Sequence, residues 1–382
     1  MSNLLKKILE VLEKEGPLKA KKIALLLDST RTTITHTNVN SELYKALDLD
    51  LDGLTKDEQS IWSYVNPKII KIFFDSPSSW LSAWNIENVL KNYPNLLNTK
   101  SEIEFHFSNK PIFLDCILKI LSITNQLVQA GSKVILKFAQ DSDGFRYLSR
   151  CGFFDNLHEN VQILPFRPSV SLAEKYHANS ITLFEIFAIK RECDRSLLSR
   201  LSTIIEDKLS EDDATKLLNK ILTLIGELVD NIHQHGLSEI DGYIALQIYN
   251  SKKIVISISD SGDGLINSLR KKALIHYQND PELRKFSKSN LDMDIQLIGH
   301  VFNKGKISRT GENGRGLGLS KSNKALQKMS LENVKKINLS IRQQNYELNF
   351  PYDTKGIGVH DCRITQNLTY IDGTHYVVTI KT

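Results

Sequence analysis

The chain has 382 residues, 41% of them hydrophobic and 24% charged, with a net charge of +5. That length accommodates two or three domains with ordinary cores; no stretch is apolar over the length that a bilayer requires, which excludes a membrane-spanning reading. Cys116, Cys151, Cys193 and Cys362 are scattered, with no CxxC pair and no His/Cys cluster at ligand spacing, so a reducing cytoplasm fits and a structural zinc does not.

The opening MSNLLKKILEVLEKEG alternates charged and apolar residues at helical spacing, which reads as a helix and not as a signal peptide. Leu4, Leu5, Ile8 and Leu12 form its stripe and Gly16-Pro17 stops it. A second short helix runs from Ala20 to Leu27, and a third from Val39 to Leu47 after the polar run 28–37. Gly53 to Lys56 and Ser60 to Tyr64 then read as two strands around a polar tip. Residues 1–66 thus have the element order of a winged helix. Residues 67–100 hold many Pro, Ser and Asn punctuators and read as a connector.

From residue 101 the pattern becomes strand, helix, strand, helix, strand. Ile103, Phe105 and Phe107 alternate; Phe113 to Ala130 is a long striped helix closed by Gly131; Val134 to Phe138 is a strand. A short helix over 145–154 and a strand over 161–166 follow. Strands separated by helices imply a mostly parallel sheet and an α/β unit over 101–190.

The last part of the chain, 195–382, carries the chemistry. Ile221, Leu224, Ile225, Leu228, Val229 and Ile232 give a core-facing helical stripe. Glu227, Asn231 and His235 stand four apart on a second stripe of that helix, an acid, an amide and an imidazole in one row; Gly236 ends it. Ile254 to Ile258 reads as a buried strand with Asp260-Ser261-Gly262-Asp263-Gly264 at its end. A carboxylate there can accept from an exocyclic amine, and the glycines let the backbone approach a ligand closely. Gly314-Arg315-Gly316-Leu317-Gly318 precedes a helix over 320–329, offering backbone N–H donors and a helix N-terminus to phosphate oxygens. Residues 301–330 also carry Lys304, Lys306, Arg309, Arg315, Lys321, Lys324 and Lys328 against the single acid Glu312, so the excess positive charge lies where an anion could use it. Gly373-Thr374 opens a closing strand. Each signal alone is ordinary: a solvated helix face, a strand-to-loop turn, a flexible glycine run.

In that order, ELVDNIHQH, DSGDG, GRGLGL and GT resemble the GHKL superfamily, which includes DNA gyrase, heat-shock chaperones, sensor histidine kinases, anti-sigma-factor kinases and mismatch-repair ATPases. The resemblance implies an α+β sandwich whose mixed sheet carries helices on one face, with ATP and Mg²⁺ as ligands. It implies that Asn231 holds Mg²⁺ and that Glu227 orients or deprotonates water. Asp260 would accept from the adenine amine with Thr374 in support, and Gly262 and Gly264 would line the base. Gly314, Arg315, Gly316, Leu317 and Gly318 would close on the phosphates as part of a lid over about 290–318. His235 matches a position that some members fill with His.

A sensor kinase of this kind has a phosphoacceptor His followed by Glu on a preceding helix. The one His-Glu pair, His158-Glu159, stands just before a strand, and His177 lacks the acid, which argues against histidine autophosphorylation. Residues 101–166, with YLSRCGFF, resemble the STAS domain of anti-sigma-factor antagonists. Where phosphorylatable members open the long helix with Ser or Thr, this chain reads Lys110-Pro111-Ile112-Phe113-Leu114-Asp115-Cys116. The expected function is therefore an ATP-dependent regulatory switch, with slow hydrolysis favoured over phosphotransfer. The alternatives are an anti-sigma-type serine/threonine kinase and a nucleotide-gated module without turnover; a protein partner and a homodimer are both compatible. In the N-terminal segment Asn40, Tyr44 and Trp62 resemble the Zα winged helix, which implies nucleic-acid binding there. A tyrosine and a tryptophan are equally at home in the core of so small a domain. Residues 1–65 hold nine Lys/Arg and ten Asp/Glu, a balance that suits a protein-binding winged helix as well as a phosphate-binding one.

Overall fold

A computed structural model describes residues 2–29, 33–49, 51, 53–64, 69–139, 142–175, 183–190, 196–208, 211–235, 238–277, 279–305, 307, 318–330 and 334–381; the side chains of 208, 211–216, 234, 235, 272, 273 and 318 are also outside the description. The chain divides into two units, Met1–Ile70 and Lys71–Thr382.

The first unit contains α1 (Asn3–Glu15), β1 (Leu18–Lys19), α2 (Ala20–Leu27), α3 (His36–Asp48), β2 (Leu54–Lys56) and β3 (Ile61–Tyr64). The expected helices and hairpin are present, and local chemistry sets their ends. Ser2 Oγ accepts from Leu5 N at 3.0 Å at the start of α1, and Gly16 at φ 80° ends it. Thr35 and Asn38 form a capping box on α3. Beyond the sequence expectation, β1 pairs antiparallel with β3 to give the sheet order β1-β3-β2. Ile8, Ile23, Val39, Leu43 and Trp62 are fully buried in its core.

The second unit begins with β4 (Ile70–Phe74), α4 (Ala83–Leu90), β5 (Glu102–Phe107), α5 (Leu114–Gln129), β6 (Lys133–Lys137), α6 (Asp143–Arg150), β7 (Gln162–Leu164) and α7 (Leu172–Lys175). The span 67–100 is therefore not a connector: Ile72, Phe74, Leu81, Ile86 and Leu90 are core residues, and β4 is the edge of a four-stranded sheet ordered β4-β5-β6-β7. Two of its Ser and Asn residues cap a helix and do not break one, in the Ser82–Asn85 capping box of α4. The β5-β6-β7 pairings are parallel, as the alternation of strands and helices required.

The remaining elements are β8 (Leu183–Ile189), α8 (Ser196–Lys208), α9 (Glu211–His235), β9 (Gly242–Ile248), β10 (Lys253–Ser259), α10 (Leu265–Ser268), α11 (Pro281–Arg284), α12 (Leu291–Lys304), α13 (Gly318–Ser330), β11 (Lys336–Gln344), β12 (Tyr346–Asp353), β13 (Gly356–Ile357), β14 (Arg363–Thr365) and β15 (Ile371–Lys381). They build an eight-stranded sheet ordered β13-β12-β11-β15-β10-β9-β8, with β14 on β12. Two expectations change here. Every described pairing in this sheet is antiparallel, where a mixed sheet was expected. And β8, expected in the middle domain, pairs with β9, so 71–382 is one unit and not two.

Burial also corrects the expectation of helices on one face. Ile254, Ile256 and Ile258 of β10 share a core with Leu224, Ile225 and Leu228 of α9 and with Tyr376, Val378 and Ile380 of β15. The alternate positions Val255, Ser257 and Ser259 are buried as well, which a half-solvated antiparallel strand would not show. The second cover is α5, buried at every position from Cys116 to Leu127 as a helix between two layers must be. Asn125 Nδ2 donates to the Tyr243 hydroxyl of β9 at 2.9 Å from this side.

Candidate functional site

Antiparallel pairing brings the C-terminal end of β10 and the first turn of β15 together, since Ser259 is the partner of His375. One residue on, Asp260 N donates to the Thr374 carbonyl at 3.0 Å. Asp260 Oδ1 accepts from Gly262 N at 2.9 Å, closing a tight Asx-type turn. Thr374 Oγ1 accepts from Leu265 N at 2.8 Å and Gln343 Oε1 from Ile266 N at 3.2 Å. These satisfy the first donors of α10, whose N-cap Gly264 has no side chain to do so. Asp260, Gly262 and Thr374 are therefore joined by hydrogen bonds, and Gly264 stands beside them, preceding Leu265 and close to Gly373.

Gly373 explains the Gly-Thr pair. Its φ is 76°, and a Cβ there would stand 2.0 Å from the Asp260 carbonyl oxygen and 2.8 Å from Asp260 Oδ1, so only glycine fits. Burial pushes the Asp260 carboxyl up to about 6, against the pull of the Gly262 and Thr374 N–H groups, and Asp263 adds to the rise. A buried acceptor carboxylate held by a rigid turn suits recognition of a neutral amine donor.

The C-terminal half of α9 lies on the same end of the sheet. A Cβ on Gly242 of β9 would meet Ile232 Cγ2 at 2.8 Å and the Ser259 carbonyl at 3.2 Å, so α9 packs closely on β9, the neighbour of the strand that delivers Asp260. Glu227 Oε1 pairs with Lys321 Nζ of α13 at 2.9 Å; this brings the first turn of α13, and hence Gly318, beside α9. Glu227 raises the Lys321 pKa by hydrogen bond and charge. Asn231 is half-buried, with its Nδ2 buried and lacking a partner among the described residues. The His235 side chain, Gly314, Arg315, Gly316 and Leu317 lie outside the described residues. Within the span expected as a lid, 290–318, residues 291–304 are instead α12, with Leu297, Ile298, Val301 and Phe302 in the core, and 306 and 308–317 lie outside the described residues.

Sequence reading missed Gly373 as a site residue, Gln343 and Lys321, although Gly373-Thr374 and the basic run both contained the signal. Among the described residues no group of three or more His, Cys, Asp or Glu could hold a metal ion alone, and no helix is long and apolar enough to cross a membrane.

In the first unit, Trp62 Nε1 donates to Asn40 Oδ1 at 3.2 Å, and the Tyr44 and Trp62 rings meet edge to face at 5.1 Å. Lys56 Nζ stands 4.8 Å from the Tyr44 ring centre and hydrogen-bonds its hydroxyl. Trp62 is fully buried and so is a core residue, not a surface contact, whereas Tyr44 is exposed. No protein-family model, curated protein or solved structure matches this chain.

Proposed function

We propose that the second unit binds ATP with Mg²⁺ at the end of its antiparallel sheet and works as a nucleotide-gated regulatory switch of the GHKL kind, with slow hydrolysis favoured over phosphotransfer. The observation that supports this reading is the cluster of Asp260, Gly262, Gly264, Gly373 and Thr374, which sets a buried acceptor carboxylate among three closely packed glycines. Asp260 would accept from the adenine amine. Asn231 would hold Mg²⁺ through its amide Oδ1, since the ion takes oxygen ligands and few from protein when phosphates supply the rest. Its buried Nδ2, without a partner among the described residues, is free to donate to a phosphate oxygen. When bound, Mg²⁺ would neutralise charge on the phosphate oxygens. Glu227 would orient water, while Lys321, bonded to its Oε1, supplies positive charge beside it.

Titration calorimetry with ATP tests the reading. Loss of a charge-assisted bond in a buried pocket costs about 1.5–3 kcal/mol, so Asp260→Asn should weaken ATP roughly ten- to hundredfold. Equal affinity in wild type and variant would remove the adenine assignment. Phosphate release and transfer to candidate partner proteins separate an ATPase from a serine/threonine kinase and from a module without turnover.

A second reading concerns the first unit. Its helix–strand order, with an exposed Tyr44 braced by Trp62 and a lysine over its ring, supports nucleic-acid binding through α3, as in Zα domains. Asn40 and Tyr44 would be the contacts, and Trp62 would hold Tyr44 in place. The full chain should bind left-handed-prone duplexes with an affinity that falls as salt rises. Tyr44→Ala should lower it. No binding at low salt would leave this unit as a protein-interaction module.

A further inference from the structure

We propose that Gln126 of α5 is a positioning residue for the adenine side of the nucleotide site, so that the middle segment is a working part of that site. This rests on the ATP reading above.

Gln126 is buried near the C-terminal end of α5. Its amide pairs with both backbone groups of Asp372: Asp372 N donates to Oε1 at 3.1 Å, and Nε2 donates to Asp372 O at 3.0 Å. A glutamine thereby does what one residue of a neighbouring strand would do for this segment. Nε2 also lies 3.0 Å from Ser261 Oγ and 3.1 Å from Ser122 Oγ, and the two serine oxygens are 3.0 Å apart. An amide nitrogen has two protons for these three acceptors, so the serine pair shares a proton of its own.

The two segments it grips are the ones that matter. Ser261 follows Asp260, and Asp372 precedes Gly373-Thr374. Asp260 is bonded to the Thr374 backbone, and Gly373 packs against Asp260 with no room for a Cβ. The Gln126 amide braces both strands of this arrangement from the side of the sheet opposite α9. An apolar residue of similar size would fill the space. It would leave the Asp372 N–H and carbonyl without these partners and let the two loops move apart. Recognition groups must be held to within about 0.5 Å, so the first property lost is selectivity for the base, ahead of general affinity for triphosphate.

The experiment is calorimetric titration of the full chain with ATP and with GTP, comparing wild type, Gln126→Leu, Gln126→Glu, Ser122→Ala and Asp260→Asn. Gln126→Leu should weaken ATP about tenfold and leave GTP near its wild-type affinity, so the ATP-to-GTP ratio falls by the same factor. Gln126→Glu keeps size and one acceptor but has no donor for Asp372 O or Ser261, and should lose selectivity as well. If Gln126→Leu fails to fold, the ratio is read from Gln126→Glu and Ser122→Ala, which alter little volume. An unchanged ratio in these variants, with ATP still weakened by Asp260→Asn, overturns this inference and leaves the ATP reading standing. ATP and GTP weakened in equal proportion also overturns it, because that is the mark of general destabilisation. No ATP binding by wild type overturns both.

Discussion

Asp260 and Glu227 are carboxylates at the same end of one antiparallel sheet, yet their surroundings share little. Asp260 is buried, bonded to Gly262 N, and backed by Gly373, Thr374 and the α5 amide. Glu227 is partly exposed and paired with a lysine whose own side chain is 58% exposed. The difference teaches where each kind of work can be done. A group that must recognise a shape is best fixed before the ligand arrives, because preorganisation lowers the ordering cost of binding. On the proposed reading, a group that acts on water and phosphate can be completed on binding, with an exposed lysine and an Asn231 Nδ2 that has no partner among the described residues nearby.

The largest expected effect breaks the exposed side alone. Glu227→Ala should hold ATP with near wild-type affinity and release phosphate about 10²–10⁴-fold more slowly, the usual range for a lost general base. Single-turnover phosphate release measured beside calorimetry makes the comparison. Wild-type hydrolysis by the variant would move the catalytic role elsewhere or abolish it.

The next breaks the sealed side. Glu87 of α4 lies between Lys119 Nζ at 2.7 Å and Arg342 Nε at 2.9 Å, all three buried. Burial raises the Glu87 pKa, but the two cations outweigh it and hold the carboxyl at about 2. Burial, assisted by the same cations, pushes His375 well down and keeps it neutral. Removing one member of such a network leaves the others buried and uncompensated, which costs about 3–5 kcal/mol. Glu87→Ala should therefore lower the urea midpoint by a corresponding amount. A change below about 1 kcal/mol, as for a surface pair, would show that α4 is not locked to the sheet. The sign with pH follows: the depressed carboxyl contributes stability above its ordinary range and loses it as pH falls towards about 2.

How much of this could be read beforehand follows from where the information resides. Helices with an apolar stripe and a definite cap were legible: Gly16 and Gly131 sit at positive φ where the stripes end. So was the placing of Asp260, Gly264 and Thr374 in one candidate site, because four individually ordinary motifs stand in a telling order along the chain. Glu87 and Gln126 were not. Glu87 lies among Ser, Pro and Asn residues that punctuate helices by capping them, which looks like a connector in one dimension. Gln126 belongs to a stripe that reads as one-faced, while burial on all sides is a property of the two sheets around it. The run Ser122, Thr124, Asn125, Gln126 in an otherwise apolar helix was the available clue. Its meaning depended on Ser261, Tyr243 and Asp372, which are more than a hundred residues away in sequence.

The smallest effect sharpens the comparison from the sealed side. Burial raises the Asp260 carboxyl to about 6, with Asp263 adding to it, and Tyr376 lies within electrostatic reach. The raised value means that the unliganded fold loses stability as pH climbs from the ordinary carboxylate range through about 6, because the charged form is the less favourable one in place. Binding has the opposite sign. An adenine amine donates best to the ionised carboxylate, so ATP affinity should rise over the same interval, by about tenfold between pH 5 and pH 7 when one group titrates midway. The phosphate groups of ATP titrate near this range too, with a second pKa around 6 for phosphate esters, so the raw profile of the wild type is not sufficient. The informative quantity is the ratio of wild-type to Asp260→Asn affinity at each pH, from which the ligand's own titration cancels. That ratio should be flat above about pH 7 and shrink below pH 6. Glu227→Ala should give the wild-type profile, since that partly exposed carboxylate belongs to the other side of the proposed site. A ratio independent of pH would mean that Asp260 does not change charge in this interval, or that its charge is not what holds the ligand.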